Sequence, residues 1–143
     1  KLFFVDKYYK PELPLNLTKY LLKFANSSID VSDGLIDDLA KMINRQSLSF
    51  HLFENKIPVS NKLSNLIKKQ RLNKINLISN GDDYQVLFTA DIKKARIIQK
   101  ASKTTGIKIT KIGKIVSGKD RSLIFDEKGK QIRAKSKGYI HRF

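Results

Sequence analysis

The sequence predicts a mixed α/β fold, in which helices pack against a β-sheet of mixed strand direction. Apolar residues first recur at helical spacing in segments that alternate with short strand-like runs, and strand-like runs dominate late in the chain. A chain of 143 residues, 41% of them hydrophobic, is long enough to bury one core. We therefore expect a single domain over residues 1–143, without an internal repeat or a low-complexity linker.

The predicted helices follow from apolar periodicity. Residues 16–26 are predicted to form a helix after Pro14, and a second helix is predicted to follow Asp33 as its N-cap. A third follows the loop of residues 54–61, and a fourth ends before Gly106. The residues predicted to face the core are, in chain order, Leu17, Tyr20, Leu21, Phe24, Leu35, Leu39, Met42, Ile43, Leu63, Leu66, Ile67, Ile92, Ala95 and Ile98.

Strands are predicted where apolar residues alternate, or run together between turn signals. These segments are residues 28–32, 48–53, 84–89 and 107–116, the last of them interrupted at Gly113. The segment 122–134 reads as a hairpin. Its turn is predicted over residues 126–129 because Asp and Gly are common in turns.

The formal net charge of +16 suggests a polyanionic partner. However, 23 of the 29 basic residues are Lys and they are spread along the chain, whereas nucleic-acid grooves usually add Arg and exposed aromatic residues. We therefore favour a solvated Lys surface over a nucleic-acid face.

Composition also limits the remaining classes. The absence of Cys excludes disulfides and thiolate metal sites. No apolar run approaches the roughly 20 residues that a bilayer crossing needs, and the start does not resemble a signal peptide. We expect a cytoplasmic protein without membrane partners. Because the first residue is Lys1 and not Met, we also expect the chain to be a piece of a longer one.

Three oxygen-bearing side chains, Asp30, Ser32 and Asp33, lie where a predicted strand meets a predicted helix. Strand alternation places Asp30 and Ser32 on one face and Val31 on the core side. Gly34 would leave room for a ligand near the backbone. Carboxylates and phosphate oxygens can share a magnesium ion, so one interpretation is a metal–phosphate site at the helix start. From spacing alone, we favour the alternative that Asp33 only caps the helix and Asp30 lies at the surface.

A second polar loop, with the sequence NGDDY, leads into the apolar strand at residues 84–89. Asp82 and Asp83 are adjacent, so one carboxylate could face a ligand and the other the loop. Taken alone, a turn in which Asn80 and Asp83 bond nearby backbone groups is the favoured interpretation.

No catalytic side chain can be assigned from the sequence. Ser32 lacks the pattern of a hydrolase nucleophile, and a structural or surface role is favoured for each of the isolated His51 and His141. There is also no Gly-rich phosphate loop, which argues against a self-contained kinase of that type.

Five segments together resemble the thiamine-monophosphate kinase family. They are SSIDVSDGLIDDLAKM, IPVS, NGDDYQVLFT, IGKI and the terminal KGYIHRF, which occur in the family's order and approximate spacing. The resemblance covers essentially the whole chain but only the C-terminal half of that enzyme, so the N-terminal ATP-binding domain would be absent from this chain. It implies the fold of the C-terminal domain of the aminoimidazole ribonucleotide synthetase superfamily.

The resemblance implies a Mg-dependent transfer of the ATP γ-phosphoryl group to thiamine phosphate, by a homodimer, giving thiamine diphosphate. Asp30 and Asp33 would bind magnesium, and Ser32 would contact ATP. Asp82 stands where the family usually has Glu and would contact the thiamine substrate, on which Tyr139 would stack. The isolated chain is expected to be inactive. The competing hypotheses are another ATP-dependent enzyme of the superfamily, of the aminoimidazole ribonucleotide or selenophosphate synthetase type, and a basic nucleic-acid-binding module.

Overall fold

The structure is a computed structural model that describes residues 2–44 and 46–133. It contains six α-helices within these residues, together with six β-strands and two 3₁₀ turns. The helices are α1 Leu2–Tyr9, α2 Leu15–Phe24, α3 Leu35–Met42, α4 Asn61–Gln70, α5 Lys74–Ile78 and α6 Ala95–Thr105. The strands are β1 Ala25–Asp30, β2 Leu48–Phe53, β3 Val86–Ala90, β4 Gly113–Ser117, β5 Leu123–Phe125 and β6 Gln131–Ile132.

The strands form two sheets, where the sequence had predicted one. Strands β1 and β3 pair antiparallel as a two-stranded sheet, and the second sheet has the order β4-β2-β5-β6. The second sheet is mixed, because β2 pairs antiparallel with β4 but parallel with β5. The mixed α/β class is confirmed, and the number of sheets was wrong because periodicity identifies strands but not their partners.

The larger core joins α3 to the four-stranded sheet. Its buried residues come from the start and body of α3, from β2, from α5 and from β5. They are Val31, Leu35, Leu39, Ile43, Phe50, Leu52, Ile57, Ile75, Ile78 and Ile124. The N-terminus of α3 is therefore fixed against this core, which makes it a rigid base for the loop that precedes the helix.

A smaller core supports the two-stranded sheet. Leu17 and Phe24 of α2 pack with Ala101 of α6, and the Phe24 ring lies 5.1 Å from the ring of Phe88 on β3. Helices α2 and α6 thus cover one face of the β1–β3 pair.

Ile98 packs against this smaller core as predicted, whereas Ile92 and Ala95 are exposed and their predicted place in the core was wrong. Ile92 belongs to the 3₁₀ turn before α6, so the helical spacing does not extend to it.

Most predicted elements are confirmed, including β2 over residues 48–53 and the β5–β6 hairpin, in which Asp126 accepts hydrogen bonds from the amides of Lys128 and Lys130. The strand predicted over residues 107–116 was wrong in its first half, because β4 begins at Gly113. Ile107 and Ile109 alternate because they pack against the smaller core, not because they pair with a strand.

Helices α1 and α5 were not predicted. Helix α1 has no buried residue, so it lacks the apolar inner face that periodicity detects. Helix α5 has five residues, which is too short for a helical pattern to emerge. In the described part of the chain, none of the helices combines the length and hydropathy required to span a bilayer.

Candidate metal–phosphate site

The two polar loops that the sequence singled out lie side by side. We call residues 31–34 the Asp33 loop and residues 79–84 the Asp82 loop. The β1–β3 pairing continues past the strands, since the Val31 amide donates to the Gln85 carbonyl at 2.9 Å and the Tyr84 amide to the Val31 carbonyl at 2.8 Å. The Asp82 amide then donates to the Ser32 carbonyl at 2.9 Å. One continuous backbone ladder therefore joins the two loops.

Two glycines permit this close approach. A Cβ atom on Gly81 would lie 1.9 Å from the Ser32 carbonyl oxygen, and one on Gly34 would lie 2.3 Å from the Ser79 carbonyl oxygen. Gly34 also has a φ of +118°, which residues with a side chain rarely adopt. The expectation that Gly34 leaves room for a ligand was wrong, because the backbone of Ser79 occupies that space.

The predicted strand register at the start of the Asp33 loop is confirmed. Val31 is 5% exposed and belongs to the larger core, whereas Asp30 is exposed and Ser32 is half-buried. Asp30 and Ser32 are therefore directed away from the core, as period-two alternation requires. The amide and the carbonyl of Ser32 are both bonded within the site, so its backbone position is fixed.

The predicted N-cap was wrong. The residue that precedes α3, and therefore occupies the N-cap position, is Gly34, so Asp33 lies one residue before the cap. Instead Asp38, which lies inside the helix and is 1% exposed, turns its carboxylate back to the loop. Its Oδ2 atom accepts hydrogen bonds from the amides of Ser32, Asp33 and Gly34 at 2.9, 2.9 and 3.2 Å. The amides that would have favoured a phosphate already bind a carboxylate.

Lys41 bridges the two carboxylates of this region. Its ammonium donates to Asp33 Oδ2 and, at 3.0 Å, to Asp38 Oδ1. The hydrogen bonds to Asp33 and then Asp38 raise the pKa of Lys41 above its usual range. The sequence analysis missed both Asp38 and Lys41. The only sequence signal was the acidic pair at residues 37 and 38 in the first turn of a helix, with Lys three residues later.

The Asp82 loop brings a further carboxylate and a phenol to the same region. Asp82 and Tyr84 both have a positive φ, 69° and 51°, which is uncommon for residues with side chains and marks a constrained loop. The Tyr84 hydroxyl donates to Asp82 Oδ1 at 3.3 Å. The pKa of Tyr84 is raised mainly by the Asp82 charge, with smaller contributions from Tyr8 and Asp30.

Asp83 faces a different environment from Asp82. Desolvation by surrounding protein atoms, followed by the charge of Asp82, raises the pKa of the Asp83 carboxyl, although the residue still reaches solvent. The folded protein thus binds this proton more tightly than the unfolded chain does. Its contribution to stability is lost as the pH rises from the unfolded value of 3.8 through the higher folded value.

We expect Asp83→Asn to raise the melting temperature at pH 7 by about 1–3 °C, a small gain because the carboxylate is partly solvated. The gain should disappear below the unfolded pKa of 3.8, where Asp83 is protonated in both states. Thermal melts at pH 3 and pH 7 measure this difference, with Glu127→Gln in the exposed β5–β6 turn as the control. A lower melting temperature at pH 7 would show that the Asp83 charge stabilises the loop.

The carboxylate oxygens of Asp30 and Asp33 are the type of ligand that a hard cation such as magnesium prefers. Within residues 2–44 and 46–133, no three His, Cys, Asp or Glu residues come together as a metal cluster. Magnesium, however, is commonly held by one or two carboxylates while substrate phosphates supply further oxygens. Asp30 and Asp33 supply two carboxylates of this kind, and Asp33 already attracts a cation in the form of the Lys41 ammonium. Their role as magnesium ligands stays a prediction.

The other sequence-predicted residues have different outcomes. His51 lies half-buried on β2 with its ring 5.5 Å from that of Phe125, which fits the structural role favoured for it. Tyr139 and His141 lie outside the described residues. In the described part of the chain, the site therefore contains Asp30, Ser32, Asp33 and the Asp82 loop, and it gains Asp38 and Lys41.

Relatives of known name match nearly the whole chain. The thiamine-monophosphate kinase of Buchnera aphidicola subsp. Schizaphis graminum is 31% identical over 140 residues, which cover 97% of this chain and 42% of the relative. The Escherichia coli K12 kinase of the same name is 27% identical, with the same two coverages. The chain is homologous to part of the thiamine-monophosphate kinases. It corresponds to their C-terminal portion and spans about two fifths of their length.

Solved structures of thiamine-monophosphate kinases have the same fold as this chain. AaThiL complexed with AMPPCP and TMP superposes with a TM-score of 0.74 and 28% identity, covering 99% of this chain and 41% of that one. The kinase from Aquifex aeolicus gives a TM-score of 0.66 and 26% identity over 92% and 41% of the two chains. The expected fold, that of the aminoimidazole ribonucleotide synthetase superfamily, is confirmed. No protein-family model matches the chain.

Proposed function

We propose that this chain is the C-terminal part of a Mg-dependent thiamine-monophosphate kinase. The main observation behind this proposal is the ladder of backbone hydrogen bonds between the Asp33 and Asp82 loops. It brings the carboxylates that are expected to bind the metal beside the carboxylate that is expected to contact the thiamine substrate. The homology to kinases of this name, and to a structure that holds AMPPCP and TMP, supports the same assignment. We also propose that an N-terminal domain supplies most of the ATP site and that the working enzyme is a homodimer.

In the proposed reaction, an oxygen of thiamine phosphate forms a bond to the γ-phosphorus of ATP. The bond from that phosphorus to the β–γ bridging oxygen breaks, and ADP and thiamine diphosphate leave. A phosphate monoester has its second pKa near 6, so the attacking oxygen is already ionised at pH 7. The reaction therefore requires positioning and charge neutralisation more than a general base. This agrees with a site in which no catalytic base was assigned.

Each residue then has a limited role. Asp30 and Asp33 would hold magnesium, which would supply neutralisation of phosphate charge. Ser32, whose backbone is fixed from both sides, would contact ATP. Asp82 would contact the thiamine substrate, and Tyr139 would stack on its cationic ring.

The test uses a protein that contains this sequence together with the N-terminal domain of its own reading frame, which we call the complete kinase. It is supplied with ATP, Mg²⁺ and thiamine phosphate, and thiamine diphosphate is measured by mass spectrometry. Aminoimidazole ribonucleotide precursors and selenide serve as alternative substrates, and retention on nucleic acid is measured against salt. Turnover of another substrate, or salt-dependent retention without any kinase activity, would refute the assignment.

Tyr139→Ala should raise the apparent KM of the complete kinase for thiamine phosphate by roughly tenfold, the effect expected from losing a favourable aromatic contact with a cation. The apparent KM for ATP should change little. Steady-state kinetics with each substrate varied in turn measures the two constants. An equal rise in both would indicate that Tyr139 supports folding and not substrate binding.

A further inference from the structure

We infer that Asp38 is a positioning residue for the proposed site. Its carboxylate, which lies on α3, accepts hydrogen bonds from the amides of the Asp33 loop. These amides are therefore not available to a phosphate group, which would be attracted to the loop only by a bound cation. The inference rests on the proposed function for its catalytic consequence, but its structural part concerns this chain alone. Neither the resemblance nor the spacing of the site residues assigned Asp38 a role.

Four hydrogen bonds converge on the carboxylate of Asp38. Oδ2 accepts three consecutive loop amides, from Ser32, Asp33 and Gly34, and Oδ1 accepts from the Lys41 ammonium. Hydrogen bonds to an ionised carboxylate are about twice as strong as neutral ones. At 1% exposure, water cannot replace these partners. The loop conformation is therefore coupled to the presence of a charge at residue 38.

The amides of the Asp33 loop already bind the Asp38 carboxylate, which stands where a phosphate could otherwise bind. Three adjacent amides before a helix are a typical phosphate cradle, since their dipoles and the helix favour negative charge. Here Asp38 supplies that negative charge internally. A nucleotide phosphate that approached these amides would have to displace a buried carboxylate and would meet Asp33 beside it. A magnesium ion on Asp30 and Asp33 would instead attract the phosphate.

Asp38 also determines the placement of Asp33. Its amide is held by Asp38, and its carboxylate is held by Lys41, which is itself anchored on Asp38. Asp38 thus fixes the Asp33 backbone directly and its side chain through one intermediary. When a metal ion binds Asp33, Lys41 still retains Asp38 as a partner, so its charge is not stranded.

The experiment compares Asp38→Asn with Asp37→Asn. Both remove one negative charge from the same turn of α3, but Asp37 accepts no hydrogen bond from the Asp33 loop in the described structure. Amide hydrogen exchange of Ser32, Asp33 and Gly34, measured by NMR on the 143-residue chain, needs neither metal nor nucleotide. We expect exchange to accelerate at least roughly tenfold in Asp38→Asn, the factor for one lost charge-assisted bond, and less than about threefold in Asp37→Asn. Equal exchange in the two variants would overturn the inference.

A second variant and a measurement of Mg²⁺ dependence complete the experiment. If Asp38→Asn does not fold, Lys41→Met is used, which keeps the three amide bonds and should leave their exchange within about threefold of the wild type. Faster amide exchange in Lys41→Met would show that Lys41, and not Asp38, holds the loop in place, and it would overturn the inference. In the complete kinase, Asp38→Asn should weaken the apparent Mg²⁺ affinity by roughly tenfold with less effect on the KM for thiamine phosphate. An unchanged Mg²⁺ dependence would refute the positioning role. If the wild type has no kinase activity, the proposed function fails, but hydrogen exchange still tests whether Asp38 holds the Asp33 loop.

Discussion

Replacing Asp33 with Asn is expected to lower thiamine diphosphate formation by the complete kinase at least roughly 100-fold, the effect of losing a group that stabilises transferring charge. Asn keeps the size of the side chain but removes the charge that would hold magnesium. Folding should change little, because the Asp33–Lys41 ion pair is partly solvated and such pairs contribute about 0–1 kcal/mol.

The matched control is Asp37→Asn, which removes the same charge four residues away on α3. Initial rates at saturating ATP and Mg²⁺ are compared together with thermal melts of each variant. We expect the control to stay within about threefold of the wild type, as is usual for surface substitutions. If Asp33→Asn keeps its turnover, Asp33 does not bind a magnesium ion that the reaction requires. Parallel loss of activity and of the melting transition would instead indicate a folding defect.

The second large effect is expected at Gly81. A Cβ atom there would lie 1.9 Å from the Ser32 carbonyl oxygen, a distance that no folded structure accepts, so one of the two loops must move. The Asp82–Ser32 backbone hydrogen bond would then be lost. We expect Gly81→Ala to lower the free energy of unfolding by about 2–4 kcal/mol, as an overpacked backbone contact does.

Gly106→Ala is the control for Gly81→Ala. Gly106 has a φ of +70° but nothing within 4 Å of its Cβ position, so the substitution imposes only backbone strain. That strain should cost about 1 kcal/mol. Denaturant titrations of the 143-residue chain measure both values. If Gly81→Ala costs no more than Gly106→Ala, the two loops do not touch as the structure shows.

The sequence was sufficient for the features that depend on local pattern. The alternation across Asp30, Val31 and Ser32 predicted the correct strand register, and the polar loop after residue 78 was found from its turn residues. The adjacency of the two loops was not predicted. Nothing in either segment alone indicates that β1 and β3 are partners, because strand pairing is a non-local property.

The features that were not predicted depend on contacts between side chains or backbone segments that form only when the chain folds back on itself. Asp33 looked like an N-cap because a carboxylate before an apolar run usually is one. The observed capping of the loop by Asp38 requires the chain to turn so that three amides converge on one buried oxygen. Gly34 was expected to leave room for a ligand and Gly81 had no predicted role of its own, whereas both glycines let two backbone segments approach closely.

Binding of Mn²⁺ to the complete kinase in the presence of AMPPCP decides whether Asp30 and Asp33 hold the cation that meets the nucleotide. Manganese accepts the same oxygen ligands as magnesium and is counted by electron paramagnetic resonance without any need for turnover. We expect the double variant Asp30→Asn, Asp33→Asn to lose at least one nucleotide-dependent Mn²⁺ relative to the wild type, while Asp37→Asn loses none. An unchanged number of bound ions in the double variant would show that the cation that meets the nucleotide is held elsewhere.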